Sequence, residues 1–351
     1  MKLKIAINGY GRIGQSVLRA LYTGRFRPLF EVVAINELAD IDTLTYLTRY
    51  DTTHGRFPLS VRQDGNNLYI GEDCIRVLRC AEPKDLPWNE LGVDLLFECS
   101  GSFNDRATAH KHLEAGAKKI LISHPANKEM DATIVYGVND HLLKPDLRIV
   151  SNASCTTNCI IPVINLLERN LGIDHGLITT IHSAMNDQPV IDSYHNTNLR
   201  LTRSALHSII PVDTGLARGI ERIMPEMTGK FECLHMRVPT INVSLMDLSV
   251  SVKTDTDIEQ INRIMHEASK GELKDLLGYT REPLASVDFN TDPRSGIVDG
   301  TQTRVSGTRL VKIVCWFDNE WGFANRMLDV GYNWLSLTDH QTLKTQVRNA
   351  E

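Results

Sequence analysis

A chain of 351 residues is longer than one hydrophobic core usually serves, so two domains are expected. Its 42% hydrophobic and 23% charged residues are those of an ordinary globular protein, and a net charge of -5 with scattered positives excludes a nucleic-acid or membrane-surface footprint. The apolar start is too short for a signal peptide, no window approaches the ~18 to 20 apolar residues of a membrane span, and seven cysteines without a secretion signal imply reduced thiols, so a cytoplasmic protein is expected.

In chain order, residues 2–8 form a predicted strand and residues 14–22 a helix with Val17, Leu18 and Leu21 at helical spacing. A second strand covers 31–36, and further strands are predicted at 75–78, 95–99, 119–123 and 133–138, with a helix at 105–115. Such alternation predicts a mostly parallel sheet covered by helices. From about residue 151 the pattern changes. A helix at 156–168 precedes long β runs at 177–183, 231–237, 242–252 and 310–317. Several of these alternate apolar and polar residues, as from Val243 to Val250, which is the antiparallel signature. Residues 319–334 read as helix again, and the last dozen residues are polar and expected to fray.

Gly9-x-Gly11-x-x-Gly14 lies between the first strand and the first helix. The first glycine permits a tight turn, the second lets a pyrophosphate approach the backbone, and the third lets helix pack on strand. The helix N-terminus adds free N–H groups and partial positive charge. Glu37, 23 positions after Gly14 at the end of the second strand, is placed to accept adenosine ribose hydroxyls and to repel a 2′-phosphate, which favours NAD over NADP. The alternative is a plain glycine turn with a solvated Glu37; the order of strand, triplet, helix and acid argues against it.

The stretch from Ser151 to Cys159 crowds Ser, Asn and Thr at the start of an apolar helix. Cys155 therefore falls at or near a helix N-terminus, where the dipole favours thiolate, the form that attacks a carbonyl. Hydroxyls and free N–H groups there could also hold phosphate or an oxyanion. The competing readings are a small buried hydrophobe and a metal ligand, the latter opposed by the lack of a second ligand pair, so no metal is expected. Cys159, one turn on, is assigned to the core. His182 at a strand end is an ordinary histidine unless it meets Cys155, when it would take the thiol proton and stabilise a thiolate as an ion pair.

These residues resemble a known family across nearly the whole chain. Residues 6–14, Tyr50-Asp51-Thr52-Thr53-His54-Gly55, residues 151–159, Arg237-Val238-Pro239-Thr240 and residues 316–322 are similar to the glyceraldehyde-3-phosphate dehydrogenase superfamily. The resemblance implies an N-terminal Rossmann-type doubly wound parallel sheet over 1–152, completed by a C-terminal helix at 319–351. It also implies an α+β catalytic domain with a mostly antiparallel sheet over 153–318. It makes Cys155 the nucleophile and His182 its activator, with Arg12 and Ile13 touching NAD beside the glycines and Asn319 fixing the nicotinamide amide. Ser154, Thr156, Thr214, Gly215 and Arg237 match positions that hold substrate or phosphate, and Arg200 or Arg203 would add a guanidinium. A homotetramer acting on a small phosphorylated aldose is implied.

Residues 36–40, 181–185 and 298–307 draw the chain toward a branch of the superfamily that oxidises D-erythrose 4-phosphate in vitamin B6 synthesis. Glu37 stands where the glyceraldehyde branch usually has aspartate, and Met185 where it has a phosphate-binding threonine. No cofactor contact is expected of Ala81. The rival readings are the phosphorylating glyceraldehyde enzyme of glycolysis and a non-catalytic NAD-binding sensor or scaffold, the latter opposed by Cys155 and His182.

Overall fold

The structure, a computed structural model, describes residues 2–103, 105–125, 129–195 and 198–348, with side chains to residue 337. Residues 349–351, part of the expected fray and of the expected C-terminal helix, lie outside the described residues. The chain divides into two compact units, Met1–Ser154 with Ala324–Glu351, and Cys155–Phe323.

The first unit is built on a nine-stranded sheet among the described residues. Its centre is the parallel set Leu95–Glu98, Leu3–Asn8, Phe30–Asn36 and Asp73–Leu78. Ile120–Ile122, Ile149–Ser151 and Ala132–Thr133 extend it in parallel on one side. On the other side the hairpin Val61–Asp64 and Asn67–Ile70 closes it in antiparallel fashion. Ile5, Ala6, Ile7 and Asn8 are all buried, as expected of a strand covered on both faces. The strand expected at 133–138 is only Ala132–Thr133. The segment turns away instead: Asn139 Oδ1 accepts the Val135 N–H at 2.7 Å, and Gly137 holds a positive φ of 84°. The helix Ile41–Arg49, capped by Asp40 accepting the Thr43 N–H, has no counterpart in the sequence reading.

Polar side chains tie together the C-terminal ends of three central strands. Asn8 Nδ2 donates to buried Glu98 at 2.6 Å, and Asn36 Nδ2 donates to Asn8 Oδ1 at 2.7 Å and to the Cys80 carbonyl at 2.9 Å. Burial pushes the Glu98 carboxyl up, but hydrogen bonds with His112, Ser100 and Asn8 outweigh it and hold it ionised. In open parallel sheets, ligands bind outside these strand ends.

The second unit carries an eight-stranded sheet among the described residues, mostly antiparallel. At its middle lie Phe231–Arg237, Ile173–His182, Ser244–Val252 and Leu310–Phe317. Ser244–Val252 alternates buried and half-buried residues along its whole length, as its sequence predicts. The helix Cys155–Leu171 lies against this sheet with Ile160, Ile161, Val163, Ile164 and Leu167 fully buried. Cys159 is in the core, its Sγ 3.6 Å from Cys315 Sγ. The closing helix is Trp321–Arg348, longer than the 319–334 that the residue pattern predicts and inside the 319–351 that the resemblance implies, since no glycine or proline interrupts 335–348.

Candidate active site

Cys155 is the first residue of its helix. Two residues earlier Ala153 sits in the left-handed region at φ 57°, a conformation that disfavours a Cβ, with its N–H bonded to Ser151 Oγ at 3.1 Å. Strain of this kind persists where the surroundings over-determine it. His182 closes the strand Ile173–His182 on the buried face that also carries Ile178 and Thr180.

His182 Nε2 lies 3.8 Å from Cys155 Sγ. Its Nδ1 is 2.8 Å from the Ser183 carbonyl. A carbonyl only accepts, so Nδ1 carries the proton and Nε2 turns a lone pair to the thiol. This is the geometry of a base beside a nucleophile.

The charge states differ from the sequence expectation of a thiolate favoured by the helix dipole. Burial pushes the Cys155 thiol up to about 11, against hydrogen bonds from the Thr156 and Cys155 N–H groups that favour the anion. Burial also pushes His182 down to about 4, helped by the nearby Arg237 charge and opposed by the Ser183 carbonyl. The resting pair is therefore thiol and neutral imidazole, because desolvation outweighs one helix terminus. Cys155 keeps partial solvent access, which tempers the push on its sulfur.

Arg237 pairs in register with His182 on the neighbouring parallel strand and is buried. Its NH1 donates to Asp187 at 2.9 Å and to Gln188 Oε1 at 3.1 Å, and its Nε donates to His235 Nε2 at 3.2 Å. The His235 ring stacks on His182 at 5.0 Å between centroids, inclined by 26°. Gln188 Oε1 also accepts the Met185 N–H at 3.3 Å, which anchors the Met185 turn to Arg237. His235, Asp187 and Gln188 were missed in the sequence. The one available signal was His235-x-Arg237, since residues two apart on a strand share a face.

The other expected substrate residues are more dispersed. Ser154 and Thr156 flank Cys155, and Thr156 is buried. Thr214 Oγ1 accepts the Leu216 N–H at 3.2 Å, and Gly215 caps the helix Leu216–Ile223. That helix runs close to the Cys155 helix: a Cβ at Gly219 would stand 3.2 Å from Thr157 Oγ1. Arg200 and Arg203 are exposed, and Arg203 Nε is paired with Asp192 at 2.8 Å. Among the described residues neither arginine touches the Cys155–His182 pair. Asn319 Oδ1 accepts from Ser183 Oγ at 3.0 Å and Ser244 Oγ at 2.9 Å, so its amide is held with Nδ2 as the free donor end.

In the first unit the glycine triplet has the form its sequence predicts. Gly9 has φ 84°, and a Cβ there would fall 2.3 Å from Ser100 Cα; one on Gly14 would fall 2.3 Å from the Gly9 carbonyl oxygen. A Cβ on Gly11 would meet nothing within 4 Å, so the protein alone does not require that glycine; a phosphate drawn close to the backbone does. The helix Arg12–Thr23 starts there. Glu37 Oε2 accepts the Tyr10 N–H at 2.8 Å and Oε1 the Leu38 N–H at 2.7 Å, so the carboxylate joins the glycine loop to the end of the second strand. Oε1 also accepts the Ala39 N–H at 3.4 Å, so Oε2 is the oxygen that retains a lone pair for a ribose hydroxyl. Arg12 is ion-paired with Asp51, which fixes its guanidinium at the rim of the loop. Ile13 follows in the first turn.

Residues 3–106 match the glyceraldehyde 3-phosphate dehydrogenase NAD binding domain, and residues 154–319 match the glyceraldehyde 3-phosphate dehydrogenase C-terminal domain. The chain belongs to this superfamily. NAD is its cofactor, and the open cradle at Gly11, the helix start and the Glu37 carboxylate fit that group. The chemistry of the superfamily makes the chain an NAD-dependent oxidoreductase acting on an aldehyde. No helix among the described residues is long and apolar enough to cross a membrane.

Proposed function

We propose that the protein oxidises D-erythrose 4-phosphate to 4-phospho-D-erythronate, as a cytoplasmic enzyme of vitamin B6 synthesis. The observation that carries the chemistry is the lone pair of His182 Nε2 directed at Cys155 Sγ from 3.8 Å. His182 takes the thiol proton as the sulfur adds to the aldehyde carbon, giving a thiohemiacetal on Cys155. NAD, when bound, supplies the acceptor for the hydride lost as that adduct becomes a thioester. Asn319 Nδ2 would orient the nicotinamide amide, the loop of Gly9, Gly11 and Gly14 with Arg12 and Ile13 would hold the pyrophosphate, and Glu37 would accept from the ribose hydroxyls. The N–H groups at the start of the Cys155 helix are the donors for the carbonyl oxygen. Once His182 has given its first proton to solvent, it takes a proton from the water that attacks the thioester and returns that proton to the departing sulfur, which frees the acid and restores the thiol.

The choice of water over inorganic phosphate rests on Met185. A thioether cannot donate the hydrogen bond that threonine would give an attacking phosphate. Its turn is tied through Gln188 to Arg237, so the missing hydroxyl falls on a segment joined to the anion-holding arginine. Arg237, Ser154, Thr156, Thr214 and Gly215 remain for the substrate's own phosphate. Arg200 is the better of the two loop arginines for a contact there, because Arg203 is paired with Asp192.

We place the chain in a homotetramer. Leu177, Ile181 and Leu234 stand exposed on one face of the second sheet, and Val190, Ile191, Tyr194 and Leu199 are exposed on the segment after it. Apolar exposure on this scale marks an interaction surface. Sedimentation checks it, and a monomer at micromolar concentration would remove the assignment.

Erythrose 4-phosphate in phosphate-free buffer, followed by added phosphate, tests the reaction. Fast NADH release without phosphate, with the free acid as product by mass, is expected. A strict phosphate requirement with an acyl-phosphate product would instead make the protein the glycolytic glyceraldehyde enzyme. No turnover of either sugar, with Cys155 alkylation unaffected by both, would favour a non-catalytic NAD-binding role.

A further inference from the structure

His235 lies outside everything the reaction above uses, yet it is buried and touches two of its parts. It reaches them from the strand Phe231–Arg237, opposite Thr180 and two register positions before the pairing of Arg237 with His182. Arg237 Nε can only donate, so the 3.2 Å bond to His235 Nε2 fixes that nitrogen unprotonated. Burial, with competition from the His182 ring for a proton and the neighbouring Arg237 charge, pushes His235 down to about 3, so the ring is neutral. That neutral ring lies nearly parallel to the His182 imidazole.

Among the described residues His182 is faced by Cys155 from its helix, His235 and Arg237 from the next strand, Asp187 from the following turn, and the Phe317 ring edge-on at 6.2 Å. When His182 takes the Cys155 proton, its cation forms against an uncharged π face rather than a second cation. The same ring packs against one face of His182, while the Ser183 carbonyl sets its tautomer.

We propose that His235 is a positioning residue for this site, whose stacked ring holds the His182 imidazole toward Cys155 and whose Nε2 holds the Arg237 guanidinium in its anion-binding orientation. It rests on the assignment of Cys155 and His182 as nucleophile and base. Two separable functions on one ring give two separable losses.

The test uses the full-length protein and three variants. His235→Phe keeps a stacking ring and loses the acceptor, His235→Gln keeps an acceptor and loses the ring, and His235→Ala loses both. The base is read by the rate of Cys155 alkylation with iodoacetamide over roughly pH 6 to 10, a range that brackets the ordinary thiol value. The arginine is read by KM for erythrose 4-phosphate and by the inorganic phosphate needed to protect Cys155 from alkylation. His235→Gln should slow alkylation at neutral pH roughly twofold to tenfold, the range of an aromatic pair, with KM close to native. His235→Phe should alkylate at the native rate but show raised KM and weaker phosphate protection. His235→Ala should show both changes. Native behaviour of His235→Ala in both readouts overturns the proposal. So does parallel loss of both by the Phe and Gln variants, since that is a packing defect. His182→Asn is the control: if it leaves alkylation unchanged, the base assignment itself fails, and that failure is separate from one at His235.

Discussion

The glycine loop and the cysteine–histidine cluster achieve their geometry by different means. The loop is fixed by backbone: a positive φ at Gly9, two positions where a Cβ would strike main chain, and a carboxylate that accepts main-chain N–H groups. The cluster is assembled from side chains on separate elements, with Cys155 and His182 27 residues apart in sequence and Arg237 and His235 further along. Burial there holds both partners neutral. A binding site for an invariant cofactor can be made rigid in the main chain. A site that must change protonation during its reaction needs groups whose charge the surroundings can tune.

Substitutions on the two sides should separate these roles. Cys155→Ala has the largest expected effect: turnover is abolished while NAD affinity, measured by titration calorimetry, stays nearly native. Appreciable NADH production by that variant would remove the nucleophile. His182→Asn should lower kcat by roughly 100-fold to 10,000-fold, the range of a general base. In the native protein the alkylation rate should rise with pH above neutrality, because the thiol is pushed up to about 11 and the imidazole down to about 4. A rate already level in mild acid would mean that a thiolate–imidazolium pair forms in the resting protein.

On the cofactor side, Gly9→Ala meets both an unfavourable φ and the Ser100 main chain, and should cost about 1–3 kcal/mol or more of stability. Its NAD affinity should fall, with alkylation of Cys155 in the absence of NAD unchanged. Equal damage to both readouts would show that the two regions are not independent. Glu37→Ala has the smallest expected effect. It should narrow the NAD/NADP preference, mainly by weakening NAD, and loosen the loop through loss of the Tyr10 N–H bond. An unchanged preference ratio would assign the discrimination to another residue.

The second unit should also contribute to loss of stability in acid. His182 and His235 have native values pushed below their ordinary 6.5, to about 4 and about 3. The unfolded chain therefore binds protons first as pH falls below about 6.5, so the stability these neutral rings contribute is present above that pH and lost toward pH 4 and 3. His235→Phe should flatten that loss in urea unfolding, and an unaltered pH dependence would count against a buried neutral His235.

The same contrast explains what could be read from the sequence. Gly9, Gly11, Gly14 and Glu37 carry a local code in which spacing dictates backbone shape, and strand, loop and helix follow one another along the chain. The burial of Ile5 to Asn8 and the alternation of Ser244–Val252 were legible for the same reason. The run at 133–138 looked like a strand because it is apolar, but the Asn139 bond and the Gly137 turn override that pattern. The contact of His182 with Cys155 is tertiary, and no spacing implies it. Nor does spacing reveal that desolvation would exceed the pull of the helix start on the Cys155 proton, because burial depth belongs to the folded chain. Asp187 and Gln188 lie in a turn whose approach to Arg237 depends on parallel strand pairing.

The most direct test of Cys155 as the site of covalent chemistry is to mix the protein with NAD and whichever of erythrose 4-phosphate and glyceraldehyde 3-phosphate yields NADH, quench in acid, and map acylated peptides by mass. The His182→Asn variant is run alongside to slow release of the intermediate. The expected result is an acyl group on the peptide containing Cys155, appearing with the first NADH formed and absent from Cys155→Ala. NADH formation with no acyl group on that cysteine in either protein, or with the acyl group on another residue, would contradict it.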